Sequence, residues 1–414
     1  MQPLSFEQAP PSSVPLRFFL SAPVFLLFAG LVALLDGEAV FASRWSAPAL
    51  ALTHLITTGF MLQVMCGALF QLMPVAAGAN LWRPAVLAWP VHVVAALGAA
   101  CLSAGFYRAD GRMLVAGGVL LGMALSLFIV ASLIALWRTP AQAPTVVAMR
   151  WAVACLCLTV MLGLGMALAR GDYVDAGMLR WSPVHVAVGL AGWGGVLVAG
   201  AAYLVVPMFQ LTPAYPDWFA RAYVWVVVAS LALGALLDSA LGWLPLLVAI
   251  AAFAAMTLDR QRRRRRARRD MTLRLWQLAM GCVLAACVLG VLPLVGVGVA
   301  PLTLLVAVLV LYGGFVSLTV GMLYKIVPFV LWLYLQPRLS NVPPMTRMLS
   351  EPLIRWHFRL HVGALAVALL AVAWPPLGGL AGGLILVAGG VLAAQLIGVG
   401  RQARRALLRA TQPS

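Results

Sequence analysis

Twelve apolar runs, each long enough to cross a lipid bilayer as a helix, follow one another along this 414-residue chain. None alternates with the two-residue period of a membrane strand, so the backbone has to satisfy its own hydrogen bonds as helices. Charged residues make up 9% of the chain, against about a quarter in a soluble protein. The expected fold is an all-α polytopic membrane protein, a single transmembrane domain over residues 1–414.

The first four spans are placed at Phe18–Leu35, Ala49–Val75, Ala85–Phe106 and Met113–Trp137. Trp151–Ala169, Pro183–Phe209, Tyr223–Leu237 and Leu241–Leu258 follow, then Leu275–Val295, Leu302–Leu335, Leu360–Trp374 and Leu377–Val399. With both termini in the cytoplasm, the outer loops hold Arg44, Arg108, Arg112, Arg170 and Arg180, five of the 28 basic residues. The same side holds Asp36, Glu38, Asp110, Asp172, Asp175 and Asp238. That asymmetry follows the positive-inside rule and places the chain in a bacterial-type inner membrane.

The net charge of +17 owes much to the run "RRRRRARR", Arg262–Arg269. It sits between two spans, within a basic cytoplasmic loop over residues 259–271 that orients the chain and meets anionic lipid headgroups; nucleic acid is not the expected partner. The N-terminal "MQPLSFEQAPPSSVP" has no basic start of the kind a cleaved leader carries. All six cysteines lie within apolar runs, without a C-x-x-C motif, which argues against a disulfide framework or a zinc ribbon.

One spacing recurs. Gly59, Gly67 and Pro74 on the second span stand eight and seven residues apart. Gly192, Gly200 and Pro207 repeat that frame on the sixth, and Gly313, Gly321 and Pro328 on the tenth. An aromatic residue follows the second glycine by three each time: Phe70, Tyr203, Tyr324. Glycine allows close helix approach in lipid, and a proline near the inner end kinks or ends a helix. Three copies imply three tandem four-helix arcs, residues 18–137, 151–258 and 275–399, with pseudo-threefold symmetry.

In that architecture the chain resembles subunit I of the heme–copper oxidases, whose second, sixth and tenth helices line the centre and carry histidine ligands. His54 on the second helix matches the low-spin heme position, and His185 on the sixth roughly matches the single copper ligand. The tenth and seventh helices carry no histidine, and Gly189 stands four residues after His185, where the family has its cross-linked tyrosine. The resemblance therefore implies a non-oxidase relative. The chain is also similar to the twelve-span NnrS-type proteins of nitrosative-stress response, which are associated with heme and copper, although it has no "WHAHEM"-like segment. What the likeness implies is a heme, or less readily a copper ion, held near the outer face, and a role in redox chemistry or in handling nitric oxide, copper or heme.

The residues leave other readings open. His54 is equally a hydrogen-bonded packing residue, and His185 an interfacial histidine. The two stand five and seven residues before their first glycines, a difference of about 200° around a helix. His92 lies on the third span. His357 and His361, in "RWHFRLH", open the eleventh and share a face; with Arg355 and Arg359 beside them, they are expected to meet lipid headgroups. Lys325, whose repeat equivalents are Gln71 and Leu204, either snorkels to the cytoplasmic surface or pairs with an ion or a propionate. Gln63, in mid-span, is expected to hydrogen-bond between helices. Acidic residues are nearly absent from the spans, which argues against a carboxylate-driven pump. No phosphate-binding loop, dinucleotide fingerprint or hydrolase elbow occurs. A secondary transporter for an uncharged or anionic solute, or an assembly subunit without a cofactor, is the alternative.

Overall fold

The computed structural model describes residues 5–237, 239–265, 270–294, 296–297, 300–339, 342 and 344–410. Among these residues twelve helices are long and apolar enough to cross a membrane. They are α1 Ser13–Ala42, α2 Ala47–Ala77, α3 Pro84–Arg108, α4 Gly111–Arg138, α5 Pro144–Arg170 and α6 Ala176–Gln210. The second half comprises α7 Asp217–Leu236, α8 Ala240–Arg262, α9 Met271–Leu294, α10 Pro301–Leu335, α11 Glu351–Ala373 and α12 Pro375–Arg409. The chain is an all-α polytopic membrane protein. Of the arginine run, Arg262–Arg265 are described; Arg266, Arg268, Arg269, Asp238 and Val295 lie outside the described residues. We call the side bearing Arg262–Arg265 the basic face, and the other the far face.

The helices outrun the apolar segments because their ends are built from capping groups. Asp110 accepts hydrogen bonds from the Arg112 and Met113 amides and starts α4. Gly78, at φ 63°, closes α2 in the left-handed conformation that glycine adopts without strain. α11 begins at Glu351, so "RWHFRLH" lies inside the helix rather than at its mouth. The three frame prolines sit within their helices, which continue to Ala77, Gln210 and Leu335.

Each of α2, α6 and α10 contains a π-helical segment: Leu55–Met61, Val188–Gly195 and Leu309–Val316. Each segment holds the first glycine of its frame. An extra residue per turn costs hydrogen-bond geometry and rotates the flanking helix halves relative to each other.

The frame glycines pack against the helix that precedes them, in one register. A Cβ on Gly59 would strike the Phe25 ring on α1, one on Gly192 would lie 2.8 Å from Cys155 Sγ on α5, and one on Gly313 would lie 2.7 Å from Cys282 Sγ on α9. The second glycines face Phe18, Ala148 and Leu275. Those partners stand seven residues before Phe25, Cys155 and Cys282, so each pair runs antiparallel with eight residues on one helix matched to seven on the other. The helices also close into a ring: α4 packs on α5, α8 on α9, and α12 most extensively on α1.

The α1–α12 crossing is the tightest. Gly37 abuts the Gly378 backbone, and Gly382 abuts the backbone of Ala33 and Leu34. Backbone cannot yield to an added methyl, so Gly382→Ala should destabilise the protein by on the order of 1–3 kcal/mol. Gly363→Ala, where nothing lies within 4 Å of the new methyl, should be neutral or slightly stabilising. Thermal unfolding of both variants in one detergent checks the contrast.

Candidate functional site

His54 sits in the first turns of α2, next to the far face. Its Nδ1 donates to the Leu50 carbonyl at 2.8 Å, and its ring stacks on Phe106 of α3 at 4.5 Å between centroids. On the other helix that starts at the far face beside it, His185 of α6 donates from Nδ1 to the Thr159 carbonyl of α5 at 3.1 Å. A carbonyl only accepts, so both Nδ1 atoms carry the proton and both Nε2 atoms keep a lone pair. This tautomer, fixed by a bond from the opposite nitrogen, is the one a metal-ligating histidine needs. Neither histidine is matched at the equivalent repeat positions, which hold Ala187 and Val308 for His54, and Leu52 and Val306 for His185. The three frames share their glycine spacing and not a histidine.

The structure overturns the lipid-headgroup expectation for His357 and His361. They are 2% and 1% exposed, on the α11 face that packs against α10 and α12, while Arg355 and Arg359 occupy the exposed side. The reason is the earlier start of the helix, which carries both rings into the bundle. His361 Nε2 lies 2.7 Å from Ser317 Oγ, and its ring stacks on Tyr312 at 4.5 Å. His357 Nδ1 lies 2.6 Å from the Tyr324 hydroxyl, which also accepts from Gln395 Nε2 at 2.8 Å. Both imidazoles are engaged by hydroxyl partners in the interior, so this cluster is a hydrogen-bonded core shared by α10, α11 and α12. Sequence reasoning quoted Tyr324 only as an aromatic and overlooked Gln395 and Ser317; the i, i+4 spacing of the histidines was the available signal.

The other sequence candidates are dispersed. Lys325 Nζ pairs with Asp270 Oδ2 at 2.9 Å, so it bridges α10 to the start of α9 rather than standing free at the surface. Asp270 had not been singled out. Its other oxygen accepts from the Leu273 amide and the Thr272 hydroxyl, which caps α9. Burial raises the Asp270 pKa, but the Lys325 charge and these hydrogen bonds outweigh it and hold the carboxyl below its ordinary value. Gln63 does not bond between helices: it is 1% exposed, and neither end of its amide has a partner. Its repeat equivalent Ser317 meets His361. His92 takes Ser21 Oγ at 2.8 Å and packs edge-on against Phe18, a structural role between α3 and α1.

Between α2, α6 and α10 lies an apolar cavity of about 110 Å³. Equivalent positions of the three frames line it, among them Val64, Leu197 and Leu318, and one turn on Ala68, Ala201 and Met322. Gln71 is the polar side chain that α2 contributes, and its Oε1 is buried without a partner. No histidine lines this space. It is also well below the roughly 300–1,000 Å³ of a pocket for a large organic ligand, so a porphyrin does not fit there. Among the described residues, no group of three or more His, Cys, Asp or Glu side chains could together hold a metal ion.

Tyr324→Phe removes the hydroxyl shared by His357 and Gln395 and should cost about 1–3 kcal/mol of stability, the penalty for stranding buried polar groups. Adding Gln395→Leu to it should recover part of that loss in a double-mutant cycle. The Asp270–Lys325 pair makes stability depend on pH. The Asp270 pKa is depressed on folding, so its contribution is complete above its ordinary value of 3.8 and is lost as pH falls through the lower folded value. Asp270→Asn should therefore lower the unfolding midpoint near pH 7 and lose that effect at strongly acidic pH. No protein-family model matches this chain, and no curated protein matches it, so functional assignment rests on the geometry.

Proposed function

We propose that this protein is a non-oxidase relative of heme–copper oxidase subunit I that binds one redox metal near its far face through His54 and His185, and handles a small redox-active ligand there. The observation that carries the reading is the matched tautomer. Two histidines at the far-face ends of α2 and α6, each pinned by Nδ1 to a backbone carbonyl, offer Nε2 lone pairs. Imidazole pairs suit copper and heme iron. With two neutral donors and no carboxylate, the site favours a metal that needs few protein ligands: a cuprous ion, or the iron of a heme whose macrocycle supplies four more.

The three repeated packing registers and the ring closure support three four-helix arcs about a pseudo-threefold axis. In this reading the basic face is cytoplasmic, both termini lie on that side, and the membrane is a bacterial-type inner membrane. The arginine run then contacts anionic headgroups. The metal faces the outside, close to where a periplasmic ligand or electron donor would arrive. Catalysis of oxygen reduction is not part of the proposal, because α7 and α10 supply no further histidine.

The test is metal analysis and an absorption spectrum, oxidised and dithionite-reduced, of protein expressed with ample heme and copper. A Soret band points to heme; stoichiometric copper without it points to the ion. Either signal should fall at least tenfold in His54→Ala and in His185→Ala while His92→Ala retains it. Protein that is folded yet free of both heme and copper defeats the proposal.

A further inference from the structure

The cavity between α2, α6 and α10 is separate from the histidine pair and has features of its own. Its walls are apolar, and small residues on two of the three helices, Ala68 and Ala201, leave the room that Met322 partly fills on the third. An apolar space of this kind disfavours water, and one of about 150 Å³ accepts benzene or xenon. This one has a single unsatisfied feature. Gln71 is 8% exposed, lines the cavity, and keeps its Oε1 without a partner. Trp276 Nε1 contacts Met322 Sδ at 3.3 Å, and Thr319 is the other polar aliphatic residue of the wall. An unpartnered acceptor in a largely apolar chamber is complementary to a small molecule that is mostly hydrocarbon and carries one hydrogen-bond donor.

The chamber also has a lid. Phe209 and Phe329, both in its wall, meet edge to face at 5.7 Å near the basic face. Phe6 packs across Phe329 from outside at 5.6 Å. The segment bearing Phe6 is tied down by the Ser5 amide, which donates to the Val75 carbonyl at the end of α2.

We propose that the space between α2, α6 and α10 is a binding site for an uncharged, phenol-sized or smaller molecule with one hydrogen-bond donor, held by Gln71 and admitted past Phe6. The site does not depend on a metal at His54. Affinity comes from the apolar walls and selectivity from the Gln71 carbonyl. Phe6 controls entry and exit rather than affinity.

The experiment is fluorine NMR of the full-length protein in lipid nanodiscs with 4-fluorophenol and fluorobenzene as probes. Each probe should give a bound resonance distinct from its lipid signal, with 4-fluorophenol bound about tenfold more tightly, the value of one well-placed hydrogen bond. Ala201→Leu and, independently, Ala68→Leu should abolish both bound resonances; of these, whichever elutes as folded protein is decisive. Gln71→Leu should bring 4-fluorophenol down to the affinity of fluorobenzene, and Phe6→Ala should speed exchange without weakening binding. Absence of any bound resonance in the parent protein, or its survival in a folded filled-cavity variant, overturns the site. Equal affinity of the two probes in the parent protein overturns the role of Gln71, and unchanged exchange in Phe6→Ala overturns that of the lid.

Discussion

Close contact between helix backbones, made possible by missing side chains, is what the arrangement of this protein depends on. In a bilayer the hydrophobic effect does not draw one apolar helix towards another; packing and polar contacts do. Gly59, Gly192 and Gly313 let α2, α6 and α10 sink onto a side chain of the preceding helix, Phe25, Cys155 or Cys282, and the second glycines repeat the contact two turns later. Because the register is the same three times, the three inner helices reach the centre at one depth. That common depth is why equivalent residues converge on one cavity. Gly37, Gly378 and Gly382 do the same work at the α1–α12 junction, where the ring has to close between helices remote in sequence.

The π-helical segments belong to the same constraint. A regular helix advances its side chains by 100° per residue and cannot present both frame glycines to one partner over eight residues while that partner advances seven. Inserting a π turn at the first glycine absorbs the mismatch. The distortion occurs in all three inner helices, which points to packing geometry rather than to a local ligand as its cause. On α2 and α6 it also sets in just after His54 and His185, which stand at the far-face ends of those helices.

The membrane fold and the glycine frame were legible in the sequence because both are written as spacings: twenty-residue apolar runs, and eight-and-seven intervals. The site was legible only in part. His54 and His185 stood out as ionisable groups at the start of spans, yet nothing in the order of residues told that each Nδ1 would find a carbonyl. His357 and His361 were misplaced for a specific reason. The arginines beside them look interfacial, but on a helix they fall on the opposite side, so one segment serves lipid and core at once. Asp270 was hidden by its neighbours. After seven arginines it looks like one more charge in a solvated loop, whereas it caps α9 and neutralises Lys325. Partners that come together from distant segments, such as Gln395 with Tyr324, leave no local pattern to find.

Equivalent positions of the three glycine frames carry different chemistry. At the position three after the second glycine, Phe70 packs between Phe18 and Phe128, Tyr203 packs on Tyr215, and Tyr324 anchors a histidine. Four before that glycine, Gln63 is stranded, Val196 is inert, and Ser317 holds His361. Near α11 and α12 the Tyr324 hydroxyl gathers His357 and Gln395, although Gln395 Oε1 and the Tyr312 hydroxyl stay unpartnered there, and on α2 both ends of the Gln63 amide and the Oε1 of Gln71 are unpartnered. The second frame carries apolar Val196 and Leu204 at the positions of Gln63 and Gln71, so the fold itself does not require an amide at either. Other unpartnered polar groups are spread over α1, α3, α4, α6, α8, α10 and α12, and Gln71 differs from them in lining the cavity between α2, α6 and α10.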